Sequence, residues 1–444
     1  MKTPILDFVT RYADSDILRL HMPGHKGQPL TGAEPFDITE INGADVLYGG
    51  DGIIRESEEN ARALFGTGAT LYSAEGSSLS IRAMLYLASL YAREQGRAPR
   101  ILAARNAHRV FITAAALLNM DVEWIFGEGD LLRCTVTAKM LEKRLTSSDT
   151  LPAAVYITSP DYLGTVADIR GLAEVCHRYG VLLLVDNAHG AYLRFLPTDR
   201  HPITLGADLS CDSAHKTLPV LTGGGYLHIS ANAPASLVGN AESGMTLFAS
   251  TSPSYLILQS LDAANRYLAE GYREKLAAFS EKVSEMKTRL CDGGYTLMGD
   301  EPLKLTIAAR AYGYEGDALA DKMRERGIEC EFADPDHIVF MLTPEIGEEG
   351  LCRLEEALLS VEKREADLTM PPKMPRPRRV LSPREALLSP SEEIGVEEAE
   401  GRILATPTVS CPPAVPVAVC GERIDEAAVR CFRYYGITRC RVVR

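Results

Sequence analysis

At 444 residues the chain is long enough for two or three domains with a sizeable core. Its 46% apolar and 24% charged residues are the mix of a soluble globular protein, and no window reaches membrane-spanning length. A net charge of −13 argues against a nucleic-acid partner, which calls for a basic face.

The first residues, Met1-Lys2-Thr3-Pro4, open neither an apolar signal region nor a cleavage site. The ten cysteines are scattered without a Cys-x-x-Cys pair, so a reducing cytoplasm is expected, although Cys411, Cys420, Cys431 and Cys440 cluster near the end. Residues 1–60 are rich in Gly, Asp and Pro with little periodicity and read as an N-terminal arm. From 61 to 265 short apolar strands, predicted at 100–103, 153–158, 181–185, 209–211 and 225–229, alternate with helical stretches. That alternation predicts an α/β large domain with a mostly parallel sheet covered by helices. One long helix is predicted from about 253 to 290. Residues 266–365 read as a small α+β domain, with strands at 304–309 and 337–342 and helices at 316–326 and 348–364. The Pro- and Arg-rich stretch 366–385 reads as a linker, and 386–444 as a small β-rich cap.

Four segments carry the chemistry. The strand at 181–185 delivers a carboxylate, Asp186, to its C-terminal end, where open α/β sheets bind ligands. Some thirty residues on, Ser213-Ala214-His215-Lys216 supplies a lysine flanked by hydroxyl and imidazole. Glu75-Gly76-Ser77-Ser78 opens a helical pattern, and a Gly-Ser-Ser turn at a helix N-terminus can hold a phosphate. Arg105-Asn106-Ala107-His108 follows another strand and adds an imidazole. Singly, each has a commonplace reading: a capping serine, a strand-end aspartate, a solvated lysine, a core histidine. Together they are the set that pyridoxal 5'-phosphate (PLP) needs: a lysine for a Schiff base, an acid for the pyridine nitrogen, and phosphate ligands.

The sequence resembles the ornithine/lysine/arginine decarboxylase family of fold-type-I PLP enzymes, in its short form, along nearly its whole length. His21-Met22-Pro23-Gly24-His25-Lys26-Gly27 resembles the family's opening signature, and Asp37 to Asp45 its next block. Asp186-Asn187-Ala188-His189-Gly190 resembles its Asp-Glu-Ala-His-Gly segment, and Ser213 to Lys216 its Schiff-base segment. Cys411-Pro412-Pro413 and Gly421-Glu422 resemble C-terminal family motifs. Glu75, Ala107, Asn187 and Cys411 depart from the family pattern, which leaves substrate identity more open than cofactor use.

The resemblance implies an aspartate aminotransferase-like large domain, a C-terminal decarboxylase-type domain and a PLP-dependent decarboxylation of arginine, lysine or ornithine. It implies that Lys216 carries the cofactor, that Asp186 holds the ring nitrogen, and that His108 stacks on the ring opposite Ala188. His189 would meet the phenolic oxygen, while Gly76, Ser77, Ser78, Ser213 and His215 would bind the phosphate. Thr251 and Ser252 would reach a partner subunit's site in a homodimer, and Glu422 would meet the substrate's cationic end. No metal is expected. Two alternatives stay open: another fold-type-I PLP enzyme, such as an aminotransferase or α-oxoamine synthase, and a catalytically silent protein of the same fold.

Overall fold

The computed structural model describes residues 1–127, 134–410 and 416–444. Seven strands, β1 (Ala69–Ser73), β2 (Arg100–Ala104), β3 (Asp121–Ile125), β4 (Ala154–Thr158), β5 (Leu182–Asp186), β6 (Leu209–Asp212) and β7 (Gly225–Ile229), belong to one sheet in the order β1-β7-β6-β5-β4-β2-β3. β2–β3 and β5–β6 pair in parallel, and β7 runs antiparallel to both β1 and β6. The expected α/β architecture is therefore the observed one, with all five predicted strands present to within a residue or two. β5 is buried along its whole length, which is why it reads as an unbroken apolar run rather than an alternating one.

The chain divides into two compact units. The first comprises Met1–Ala98, Ala153–Val155 and Ile169–Leu276. The helix Gly76–Glu94 packs on β6 and β7 there, burying Leu79, Ile81, Met84, Leu85 and Ala88. The N-terminal stretch is more ordered than its composition predicts. Helix Pro4–Ala13 buries Ile5 and Val9, and Asp262 accepts the backbone N–H groups of Ile5 and Leu6 at 2.9 and 3.0 Å. Fewer than three turns give too short a periodic signal to stand out among turn residues, and the aspartate that receives its first N–H groups lies more than 250 residues away.

The second unit comprises Pro99–Pro152, Tyr156–Asp168 and Ala277–Arg444. It holds an antiparallel sheet of β8 (Leu297–Met298), β9 (Lys304–Ala308), β10 (Phe332–Ala333) and β11 (His337–Met341), in the order β10-β11-β9-β8. The single long helix predicted over 253–290 is two, Tyr255–Ala269 and Tyr272–Asp292. Gly271 stands between them at φ +79°, a left-handed conformation that ends the first helix. The last 60 or so residues form two two-stranded ribbons and the helix Glu426–Tyr434 around Val396, Leu404, Val417, Ile424, Phe432 and Val442. No helix among the described residues is long and apolar enough to cross a membrane.

Candidate active site

Within the first unit, the ends of β5 and β6 and the start of helix Gly76–Glu94 bring most of the expected residues together. Asp186 closes β5 and is buried; its Oδ1 accepts the N–H of Ala188 at 3.3 Å and the thiol of Cys211 at 3.5 Å. Burial, then the charges of Asp186 and Asp212, push the Cys211 thiol up, so it stays protonated and able to donate. The chain then turns through Asn187 to Gly190. A Cβ at Gly190 would lie 2.1 Å from Asn187 Oδ1, so only glycine fits the turn. The turn aims His189 at the other segment, where its Nε2 lies 3.0 Å from Lys216 Nζ.

Lys216 stands on a single helical turn, Ala214–Thr217, directly after β6. Ser213 Oγ donates to Ser77 Oγ at 2.8 Å. His215 Nδ1 must carry its proton, because it lies 2.9 Å from the carbonyl of Gly224. The same ring faces the helix start: a Cβ built on Gly76 would meet only His215 Cε1, at 3.7 Å. Gly76 has φ +66° and donates its own N–H to Gly223, while the next N–H groups have no acceptor within the helix. Ser77 and Ser78 are half-buried beside them. Hydroxyls, an imidazole and a helix N-terminus thus share one rim, and the residues fit a phosphate group. Glu75 turns away from this rim, its Oε1 accepting the N–H of Ser250 at 2.7 Å. Thr251 and Ser252 follow in an exposed loop.

The sequence reading missed a buried network beneath these residues. Asp212, fully buried, accepts the Asn187 side-chain amide at 2.8 Å and the Nε2 of His201 at 3.0 Å. His228 Nε2 lies 3.4 Å from the same carboxylate. Burial by itself would raise the carboxyl of Asp212, but the two imidazoles outweigh it and hold it well below the usual range. Asp212, the residue before Ser213, is therefore tied to Asn187, the residue after Asp186. Its place beside the lysine segment was the only sequence signal; its partners come from the turn after β5, the stretch before β6 and β7.

Two expected residues belong to the second unit. His108 caps helix Arg109–Leu117, its Nδ1 accepting the N–H of Val110 at 3.3 Å. Glu422 is only 2% exposed, and Arg105 takes both its oxygens, at 2.7 and 2.8 Å. It also accepts the N–H of Val419 at 2.9 Å. A carboxylate so committed offers little to a substrate's cationic end, and in this structure Glu422 is one half of a buried ion pair. Cys411 lies outside the described residues.

A family model described as "Orn/Lys/Arg decarboxylase, major domain" matches residues 3–294, and its C-terminal-domain counterpart matches 371–440. The chain belongs to the Orn/Lys/Arg decarboxylase family. Membership makes it a decarboxylase-class enzyme on a fold whose members use PLP. An arginine decarboxylase of Bacillus subtilis is 28% identical over 96% of this chain and 92% of its own length. An uncharacterized protein of the same organism, YaaO, is also 28% identical, over 97% of this chain and 93% of its own. The lysine decarboxylase of Francisella novicida superposes with a TM-score of 0.81, covering 100% of this chain and 81% of its own, at 15% identity. At that identity the likeness carries the fold alone.

Proposed function

We propose that this family member decarboxylates a basic amino acid, arginine, lysine or ornithine, to the corresponding amine, with PLP held by Lys216. The observation that carries the reading is the approach of Lys216 Nζ to His189 Nε2 at 3.0 Å, beside a buried strand-end carboxylate and a phosphate-sized rim. PLP supplies an electron sink for the charge left at Cα when CO₂ departs. The residues divide the remaining work. Asp186 holds a proton on the pyridine nitrogen, and the Cys211 thiol and Ala188 N–H fix its carboxylate. Ser77, Ser78, Ser213 and His215 anchor the phosphate, with Gly76 opening the helix toward it. His189 orients the amine of Lys216 and faces the phenolic oxygen. Ala188 would pack on one face of the ring, where a small side chain is needed, and His108 would stack on the other. Thr251 and Ser252 serve the second subunit of a homodimer. An acidic protein favours approach of a cationic substrate, and arginine is the first to try because near-full-length relatives carry that name. A reducing cytoplasm is the proposed setting, as cysteines scattered without a Cys-x-x-Cys pair suggest.

Borohydride reduction of the PLP-loaded protein followed by peptide mapping should find pyridoxyl-lysine at Lys216, and a label on another lysine would refute the assignment. A CO₂-release screen over arginine, lysine and ornithine tests the substrate class. Release from neutral or acidic amino acids only would overturn it while leaving the cofactor assignment standing.

A further inference from the structure

The turn between β10 and β11, Asp334-Pro335-Asp336-His337, gathers three buried side chains of a kind that bind metal ions. Asp334, Asp336 and His337 are 1%, 6% and 6% exposed, and each offers one ligand atom such that all three lie within 4.8 Å of one another. Each carboxylate has one oxygen in use. Asp334 Oδ1 accepts the backbone N–H groups of Asp336 and His337 at 2.8 and 2.7 Å. Asp336 Oδ1 accepts Arg310 Nε at 2.9 Å and the Tyr434 hydroxyl at 2.5 Å. Asp334 Oδ2, Asp336 Oδ2 and His337 Nδ1 have no hydrogen-bond partner among the described residues. His337 Nδ1 lies 3.3 Å from Asp334 Oδ1 without the alignment of a hydrogen bond. Buried polar atoms are ordinarily paired, and two carboxylate oxygens and an imidazole nitrogen left unpaired in one place are a set that a single cation would satisfy. Arg310, the cation at the turn, also pairs with Asp367 and Glu315. Burial and then the charges of Asp334, Glu315 and Asp321 push up the carboxyl of nearby Asp317, as an acidic field requires.

We propose that Asp334, Asp336 and His337 bind a first-row divalent cation, Mn²⁺ or Zn²⁺. Two carboxylate oxygens and one imidazole nitrogen form a borderline donor set, whereas Mg²⁺ and Ca²⁺ prefer oxygen alone. Through Asp336 the ion would brace the turn against Tyr434 of the last helix. The other buried histidine cluster does not qualify. There the N–H of Ile203 points at His201 Nδ1, at 3.3 Å, which leaves the proton on Nε2, facing Asp212.

The test uses the full-length, PLP-loaded protein, stripped with chelator, dialysed, and reloaded separately with Mn²⁺, Zn²⁺, Mg²⁺ or Ca²⁺. Mass spectrometry of the metal content should find about one Mn²⁺ or Zn²⁺ per chain. The same ion should raise the melting temperature. His337→Gln and, independently, Asp336→Asn should each weaken retention at least roughly tenfold and abolish the metal-dependent shift, with the cofactor's visible absorbance unchanged. His337→Gln keeps the test open if Asp336→Asn fails to fold. The proposal is overturned if no ion is retained and none shifts the melt, if only Mg²⁺ or Ca²⁺ binds, or if His337→Gln retains metal as the unaltered chain does.

Discussion

Glu58 shows how burial changes what one residue does. It is 4% exposed, its Oε1 accepts the N–H of Tyr72 at 2.9 Å, and Arg55 lies 3.3 Å away. Burial raises its carboxyl from 4.5 to about 7, against the pull of the Tyr72 N–H and Arg55. Below pH ~4.5 the folded and unfolded chains both carry this proton. From there to about 7 the folded chain keeps it and the unfolded chain does not, so stability falls as pH rises through that window and the loss is complete above it. The shift is worth about 3 kcal/mol. Glu58→Gln should flatten this contribution: its denaturant midpoint should gain on that of the unaltered chain between pH 5 and pH 8. An equal decline in both proteins would mean that other carboxyls, such as Asp262, set the slope. Nothing in the sequence around Glu58 marks it as buried. The same holds for Glu422, whose partner Arg105 stands 317 positions away.

At the scale of elements, the start of helix Gly76–Glu94 is where local chemistry and function meet. Gly76 adopts φ +66°, which costs other residues about 1–2 kcal/mol, and its N–H is bonded to the carbonyl of Gly223 at 2.6 Å. An alanine there has room for its Cβ but not for its backbone, so the turn would relax and carry Ser77 away from Ser213. Gly76→Ala is expected to weaken PLP binding roughly tenfold, followed by absorbance titration of the stripped protein. Undiminished affinity would show that the turn does not shape the phosphate rim. The Gly-Ser-Ser turn and its helix were legible because both are local patterns. So were the buried strands, whose apolar runs are short and bounded. The break at Gly271 was not, since an isolated glycine in a helical pattern is often tolerated.

At the scale of the whole molecule, the proposed homodimer makes a prediction of its own. If Thr251 and Ser252 act in the neighbouring subunit's site, each active site needs residues from two chains. Lys216→Ala and a Thr251→Ala/Ser252→Ala double variant should each be inactive, and mixing them under conditions of subunit exchange should restore activity in the mixed dimers. No recovery, with exchange verified by native mass spectrometry, would assign the loop to its own chain's site.

Local stretches of the chain were enough to read the α/β class, the strands and the segments that carry Lys216, Asp186 and the Gly-Ser-Ser turn. Those are properties of short stretches, where apolar runs, turn residues and motif spacing act over a few positions. It took the folded chain to show that Asp212 joins Asn187 to His201, that Glu422 is taken by Arg105, and that Asp334, Asp336 and His337 have unpaired atoms close together. The first two depend on which distant residue is brought within about 3 Å of a buried charge. The third depends on which polar atoms folding removes from water without giving them a partner. Neither leaves a periodic trace along the chain.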